Sequence, residues 1–118
     1  MKKKLLIVED NEKLLATMVT LLEDHFEIVT ATNGRDGIDR AKLDVPDIII
    51  SDIMMPEMDG LELCRRIKKN ININHIPIIL LTAKSTPERN MESLNLGADA
   101  YIPKPFDITI LQKTALNL

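Results

Sequence analysis

The stretch IIISD at residues 48–52 consists of three isoleucines followed by a serine and an aspartate. Three further apolar runs end on polar side chains in the same manner: residues 5–8 before Glu9 and Asp10, residues 78–81 before Thr82, and residues 101–103 before Lys104. Continuously apolar strands are typical of a parallel sheet that is covered on both faces. We therefore expect these runs to be parallel strands whose polar ends lie together at the carboxyl edge of one sheet.

Segments with the apolar spacing of helices lie between the strands. Helices are expected in residues 12–23, near Ile38 and Ala41, after Gly60, in residues 86–96 and in residues 107–118. One further strand is expected at residues 26–31, and the strand that ends before Thr82 is expected to cover residues 76–81. Strand and helix thus alternate five times, which predicts a doubly wound α/β domain with right-handed crossovers. A chain of 118 residues has room for one such domain.

The composition argues against several functions. A net charge of −3, an aromatic content of 3% and the absence of tryptophan disfavour a nucleic-acid-binding surface or a base-stacking platform. No apolar stretch approaches the roughly 20 residues that a membrane span needs. We expect no membrane contact by this domain and a cytoplasmic location, with tethering through a longer chain left open. The single cysteine, Cys64, fits that location because it cannot form an internal disulfide.

The polar strand ends would bring three acids, a hydroxyl and an ammonium into one crevice. The acids are Glu9, Asp10 and Asp52, and acids of one sign are most often placed together to hold a hard divalent cation. Mg²⁺ suits this small set better than Ca²⁺ does, because it keeps several waters and needs few carboxylates. Thr82 and Lys104 would suit a phosphoryl group attached beside that cation.

Five motifs, taken in chain order, resemble the receiver domain of two-component response regulators over essentially the whole chain. They are Glu9-Asp10, DIMMPEMDG at residues 52–60, LTA at residues 81–83, GADAY at residues 97–101 and KPF at residues 104–106. The resemblance implies a single receiver domain over residues 1–118, with a five-stranded parallel sheet in the flavodoxin-like order 2-1-3-4-5. A C-terminal output domain or another domain beyond residue 118 is left open, and the motifs are also similar to receivers inside hybrid sensor histidine kinases.

The resemblance also implies which residues carry the chemistry. Asp52 corresponds to the phosphoacceptor and Lys104 to the lysine that pairs with the phosphate, with a cis peptide bond expected before Pro105. Mg²⁺ would have four protein ligands: the carboxylates of Glu9, Asp10 and Asp52 and the backbone carbonyl of Met54. Glu9 departs from the family pattern, in which aspartate is common at this position.

Thr82 and Tyr101 correspond to the family's switch pair. They would relay phosphorylation of Asp52 to the surface formed by the helix predicted over residues 86–96, the last strand and the last helix. The implied partner is a histidine kinase or a histidine phosphotransfer domain, whose phosphohistidine supplies the phosphoryl group. Homodimerisation through the last two helices is common in the family but is not readable from these residues. At most slow self-dephosphorylation is expected, rather than enzymatic turnover.

Two other functions stay open at this stage. A magnesium phosphohydrolase would also form an aspartyl phosphate, but such enzymes usually need a second acid near the nucleophile, where this chain has Met54. A pseudo-receiver that is never phosphorylated would be a binding module, and the complete set of acids, threonine and lysine argues against it. Simpler interpretations of single residues also exist: Asp10 as a helix cap, Lys104 as part of a structural ion pair, Thr82 as a strand end and Tyr101 as a packed ring.

Overall fold

A five-stranded parallel sheet forms the centre of the computed structural model, which describes residues 2–82 and 97–118. Its strands are β1 (Lys3–Val8), β2 (Phe26–Ala31), β3 (Ile48–Asp52), β4 (Ile78–Thr82) and β5 (Ala100–Pro103). Their spatial order is β2-β1-β3-β4-β5, and each neighbouring pair is parallel. The predicted doubly wound, flavodoxin-like fold is confirmed.

The helices lie in the connections between the strands. In the described part of the chain they are α1 (Glu12–Leu22), α2 (Gly34–Asp44), α3 (Gly60–Lys69) and α4 (Ile108–Asn117). Each begins after a residue whose side chain accepts a backbone N–H of the first turn, namely Asn11, Asn33, Asp59 and Asp107. These caps satisfy N–H groups that have no partner within the helix. The helix predicted over residues 86–96 lies outside the described residues.

The helices cover both faces of the sheet, which explains why the strands are apolar at consecutive positions. Successive strand residues point to opposite faces, so the side chains on each face need a hydrophobic core to pack into. One core packs α1 and α4 against Leu5, Ile7, Ile48, Ile50, Ile79 and Leu81, and the other packs α2 and α3 against Leu6, Val8, Ile49, Ile78 and Leu80. Among the helices of the described ranges, none combines the length and apolarity needed to cross a membrane.

β4 begins at Ile78 and not at Ile76, where the apolar run starts. Ile76 is fully buried but precedes the strand, and Pro77 has no N–H to donate to a neighbouring strand. The carbonyl of Pro77 still accepts the N–H of Ile49 at 3.0 Å. The proline therefore shortens the strand at its amino end. The carboxyl end, which matters for the site, is where the sequence predicts it.

The strand register places the polar ends in a staggered row at the carboxyl edge. Val8 is paired with Ser51, so the next residues along, Glu9 and Asp52, lie at the same level of neighbouring strands. Farther along the sheet, Thr82 is paired with Pro103, which directly precedes Lys104. Parallel pairing thus brings residues from four separate parts of the chain to one edge.

Candidate functional site

Glu9 is the most deeply buried acid at this edge. It follows β1 directly, is only 1% exposed, and its N–H donates to the carbonyl of Ala31 at 3.0 Å. Its carboxylate accepts the N–H of Asn11 at 3.1 Å through Oε2. These two backbone hydrogen bonds fix both the main chain and the side chain of Glu9. The contact with Asn11, which also caps α1, has no signature in the sequence beyond the proximity of the two residues.

Lys104 connects two of the acids. Its Nζ donates to Oδ2 of Asp52 at 2.8 Å and to Oε1 of Glu9 at 3.2 Å. Its own N–H donates to the carbonyl of Thr82 at 2.7 Å, and the peptide bond to Pro105 is cis, as the resemblance predicts. The lysine is therefore held at the end of β5, and its ammonium reaches past β4 to the carboxylates at the ends of β3 and β1.

Asp10 completes an acidic cluster with Glu9 and Asp52. One carboxylate oxygen from each of the three residues lies within 4.8 Å of the other two. Asp52, the last residue of β3, is 5% exposed, whereas Asp10 is exposed and gives the cluster its open side. Three carboxylates and one ammonium leave a formal charge of −3 + 1 = −2 when all are ionised. An all-oxygen set of this charge fits a hard divalent cation.

The electrostatics of the cluster favour an added cation. Burial raises the pKa of the Glu9 carboxyl, the hydrogen bond from the N–H of Asn11 opposes the rise, and the charge of Asp52 adds to it. For Lys104, burial lowers the pKa of the ammonium, but the hydrogen bond and charge of Asp52, with those of Glu9, outweigh burial and raise it. The lysine thus stays charged, while the charge on Glu9 is only partly compensated.

The loop between β3 and α3 folds back onto the carboxyl end of β3. The N–H of Gly60 donates to the carbonyl of Ile53 at 2.9 Å, and a Cβ at Gly60 would collide with the carbonyl oxygen of Asp52. Glycine is therefore required where the loop closes. Within the loop, the side chain of Met54 is largely exposed, with 64% of its surface accessible. That the backbone carbonyl of Met54 binds a metal stays a prediction.

Thr82 and Tyr101, the predicted switch pair, lie on neighbouring strands. Thr82 ends β4 and is 3% exposed, so its hydroxyl belongs to the buried edge of the sheet. Tyr101 is partly buried against the core that contains α2 and α3. Burial raises the pKa of its phenol, and Cys64 and Asp99 raise it further. Tyr101 packs against the same core as Cys64 of α3, a relationship that sequence reasoning does not identify.

Comparisons with known proteins agree with this geometry. A family model described as the response regulator receiver domain matches residues 5–116. The chain is 44% identical over 107 residues to a curated protein named Histidine kinase P4 from Formosa agariphila, covering 91% of this chain and 8% of that protein. It is 36% identical over 107 residues to the alkaline phosphatase synthesis transcriptional regulatory protein PhoP of Bacillus subtilis, covering 90% and 44% respectively. The chain therefore spans less than half the length of these relatives.

Solved structures give the same result. The signal receiver domain of a signal transduction histidine kinase from Syntrophus aciditrophicus matches with a TM-score of 0.90 and 38% identity, covering 98% of this chain and 88% of that chain. The receiver domain of a sensor histidine kinase from Pseudomonas aeruginosa matches with a TM-score of 0.89 and 26% identity, covering 99% and 97% respectively. The latter structure has a magnesium ion coordinated in its active-site cleft.

Proposed function

The chain belongs to the response regulator receiver domain family, and on that premise we propose that it is a phosphoacceptor switch in which Asp52 receives a phosphoryl group. One observation carries the proposal. Lys104 Nζ lies 2.8 Å from Asp52 and 3.2 Å from Glu9, at an acidic cluster that also contains Asp10. A nucleophile, a metal-binding set and a fixed positive charge thus meet at one edge of the sheet.

Mg²⁺ fits the donor set of this edge. Glu9, Asp10 and Asp52, with the backbone carbonyl of Met54, would hold it. When bound, it supplies positive charge that neutralises the acids and the incoming phosphoryl oxygens. The need for such charge is large, because like unit charges 4 Å apart repel by about 4 kcal/mol at an effective dielectric constant of 20. The raised pKa of Glu9 supports the assignment, since an added cation would stabilise its ionised form.

Asp52 is the proposed nucleophile because it is the acid that Lys104 contacts most closely. One of its carboxylate oxygens would form a P–O bond as the P–N bond of a partner's phosphohistidine breaks, and the departing imidazole would take up a proton. Transfer of this kind depends mainly on alignment and charge stabilisation. The ammonium of Lys104 is already within reach of the acceptor, so it would pair with an oxygen of the transferred group.

Phosphorylation would then bias the switch pair. An aspartyl phosphate carries roughly −1.5 to −2 charge, by analogy with other phosphorylated residues. Hydrogen bonds to charged groups contribute about 1.5–3 kcal/mol each, so a new bond from Thr82 would supply about that much, while Lys104, which already pairs with Asp52, would add only the gain in strength of its bond. Moving a two-state equilibrium from 1:99 to 99:1 needs about 5.5 kcal/mol of difference between the two states. The movement of Thr82 and Tyr101 would change the surface of β5, α4 and the helix predicted over residues 86–96.

The proposed partner is a histidine kinase or a histidine phosphotransfer domain. The name of the relative from Formosa agariphila, Histidine kinase P4, supports a place in such signalling. We also propose a cytoplasmic location, at most slow self-dephosphorylation, and no nucleic-acid or membrane contact by this domain. Residues 1–118 would act as one receiver domain, alone or within a longer protein. Association of two copies through α4 and the helix predicted over residues 86–96 belongs to the same proposal.

The decisive experiment is incubation with acetyl phosphate and Mg²⁺, followed by intact-mass measurement. The expected product carries one phosphoryl group, and Asp52→Asn carries none. Chelation of Mg²⁺ should prevent labelling of the wild-type chain. Absence of both labelling and Mg²⁺ binding would instead indicate a pseudo-receiver. Continuous turnover of a generic phosphate ester would indicate a phosphohydrolase.

A further inference from the structure

The first turn of α2 contains two buried glycines that contact the chain segments carrying the acids. A Cβ built on Gly34 would lie 2.5 Å from the carbonyl oxygen of Met58 and 2.9 Å from its Cβ. A Cβ built on Gly37 would lie 2.9 Å from Cγ2 of Val8 and 3.3 Å from its Cγ1. Both contacts are too close for any residue with a side chain unless the neighbour moves.

The two contacts are made to two different chain segments that carry the acids. Val8 is the last residue of β1 and directly precedes Glu9. Met58 belongs to the loop that begins after Asp52 and contains Met54. The start of α2 therefore packs against both of the segments from which the cluster of Glu9, Asp10 and Asp52 extends.

Neither side of the packing has room to give way. Val8 is 1% exposed and packed in the core, and a Cβ at Gly37 would also be 3.4 Å from Leu63 of α3. At Gly34 the closest atom belongs to the backbone of Met58, which cannot rotate away as a side chain can. Because protein interiors are close-packed, an added methyl group would have to displace the backbone of Met58 at Gly34 and the buried side chain of Val8 at Gly37.

The start of α2 is itself held in place. Oδ1 of Asn33 accepts the N–H of Asp36 at 2.8 Å, and the carbonyl of Asn33 accepts the N–H of Gly37 at 3.0 Å. Glycine is among the least favourable residues for a helix, so helix stability does not explain two of them in one turn. Close approach of the helix backbone to Val8 and Met58 does explain them.

We propose that Gly34 and Gly37 are positioning residues for the acidic site. Their lack of side chains lets α2 pack against Val8 and Met58 at once, and this packing sets the separation between Glu9-Asp10 and the segment that follows Asp52. Neither glycine touches the reacting atoms. The inference rests on the proposed function, because the separation matters only where Mg²⁺ and a phosphoryl group are bound there.

The test compares Gly34→Ala and Gly37→Ala with the wild-type 118-residue chain. Mg²⁺ affinity is measured by calorimetry and the phosphorylation rate with acetyl phosphate, at a temperature where circular dichroism shows each protein folded. A misplacement of about 1 Å can cost up to about 100-fold in rate, so we expect both affinity and rate to fall by about tenfold or more. Saturating Mg²⁺ should restore part of the rate, because the affected step includes metal binding.

Two further variants separate positioning from general loss of stability. Ile48→Val removes a buried methyl at the amino end of β3, in the core on the opposite face, and should leave both measurements unchanged. Val8→Ala combined with Gly37→Ala removes both Cγ atoms that the new methyl group would meet, so it should recover most of the Mg²⁺ affinity. Equal losses in Ile48→Val, or no recovery in the double variant, would overturn the proposal.

A measurement on the wild-type chain covers the case in which the glycine variants do not fold. Coupling between sites is reciprocal, so Mg²⁺ should stabilise the packing of α2 and slow hydrogen exchange of the Gly37 N–H. Unchanged hydrogen exchange at saturating Mg²⁺, or alanine variants with wild-type Mg²⁺ affinity, would reject the role of the glycines but not the proposed function. A wild-type chain that neither binds Mg²⁺ nor accepts phosphate would reject the proposed function, and this inference with it.

Discussion

Lys104 donates a hydrogen bond from Nζ to Oδ2 of Asp52 at 2.8 Å, although 52 positions of chain separate the two residues. The same ammonium reaches Glu9 at 3.2 Å. Lys104 therefore neutralises part of the charge of the acidic cluster before any ligand arrives. In the proposed cycle it competes with Mg²⁺ for the acids and later pairs with phosphate. This dual role leads to the first prediction.

Replacing Lys104 with methionine should strengthen Mg²⁺ binding while it slows phosphorylation. The substitution removes the positive charge that compensates Asp52 and Glu9, so a divalent cation meets a more negative cluster. We expect the Kd for Mg²⁺ to fall by roughly tenfold, which corresponds to about 1.4 kcal/mol. Calorimetric titration measures it. Lys113→Met, at an exposed position of α4, is the control. Weaker Mg²⁺ binding in Lys104→Met would contradict the prediction.

Glu9→Gln should stabilise the metal-free protein at neutral pH. Because the pKa of Glu9 is raised in the fold, the folded state binds this proton more tightly than the unfolded state does. The resulting stability is complete below the unfolded pKa and is lost as pH rises through the raised folded value. Glutamine keeps the uncharged form at every pH and retains an oxygen for the N–H of Asn11.

We expect Glu9→Gln to raise the Tm by a few degrees, since about 1 kcal/mol of stability corresponds to roughly 4 °C for a domain of this size. Thermal unfolding in EDTA at pH 7.5, followed by circular dichroism, measures it. Glu12→Gln is a matched control, because Glu12 is exposed in the first turn of α1 and its loss should not raise the Tm. A lower Tm for Glu9→Gln would show that the ion pair with Lys104 outweighs burial.

Mg²⁺ should raise the Tm of the wild-type chain, and the increase should shrink in acid. A ligand present at 100 times its Kd stabilises a protein by about 2.7 kcal/mol. As pH falls through the raised pKa of Glu9, protons compete with the metal for that carboxylate. Unfolding curves with and without Mg²⁺ between neutral and mildly acidic pH show the trend. Asp10→Asn should reduce the increase at every pH, and an increase that grows in acid would exclude Glu9 from the metal site.

The thiol of Cys64 should be unreactive in the folded protein. Its side chain is fully buried on α3, and burial raises the pKa of the thiol, so little thiolate is available. We expect disulfide exchange with an aromatic disulfide reagent at pH 8 to be at least about 100-fold slower than in denaturant. The unfolded chain serves as its own control, because Cys64 is its only cysteine. Fast labelling of the native protein would show that the core near Tyr101 opens readily.

Local pattern was sufficient to predict much of the fold. The isoleucines before Asp52 and the aliphatic run before Glu9 indicate strands covered on both faces, and β3 and β4 are buried at every residue. The strand order came from the resemblance to a family and is confirmed. The start of β4 was predicted too early because an apolar run does not show that Pro77 removes a donor from the ladder.

The candidate site was predictable in its members but not in its contacts. Glu9, Asp52, Thr82 and Lys104 could be named because each lies at, or directly after, the carboxyl end of a strand. The hydrogen bond from the N–H of Asn11 to Glu9 is local, but the sequence does not show that the Glu9 side chain turns toward it. The packing of Tyr101 in the core that contains Cys64 could not be named either, because it depends on contacts between separate elements. The packing of Gly34 against Met58 is likewise invisible in the chain, where an asparagine-glycine pair indicates only a turn.

The sequence by itself determined which residues stand at the carboxyl edge, because the length and apolarity of each run set where its strand ends. Only the tertiary structure decided that the ammonium of Lys104 lies between Glu9 and Asp52, and that two glycines of α2 pack against the segments bearing the acids. The physical reason is the distance along the chain over which each feature is determined. Strand formation follows from neighbouring residues, whereas ångström-scale distances between side chains follow from the register of four strands and the packing of helices on both faces.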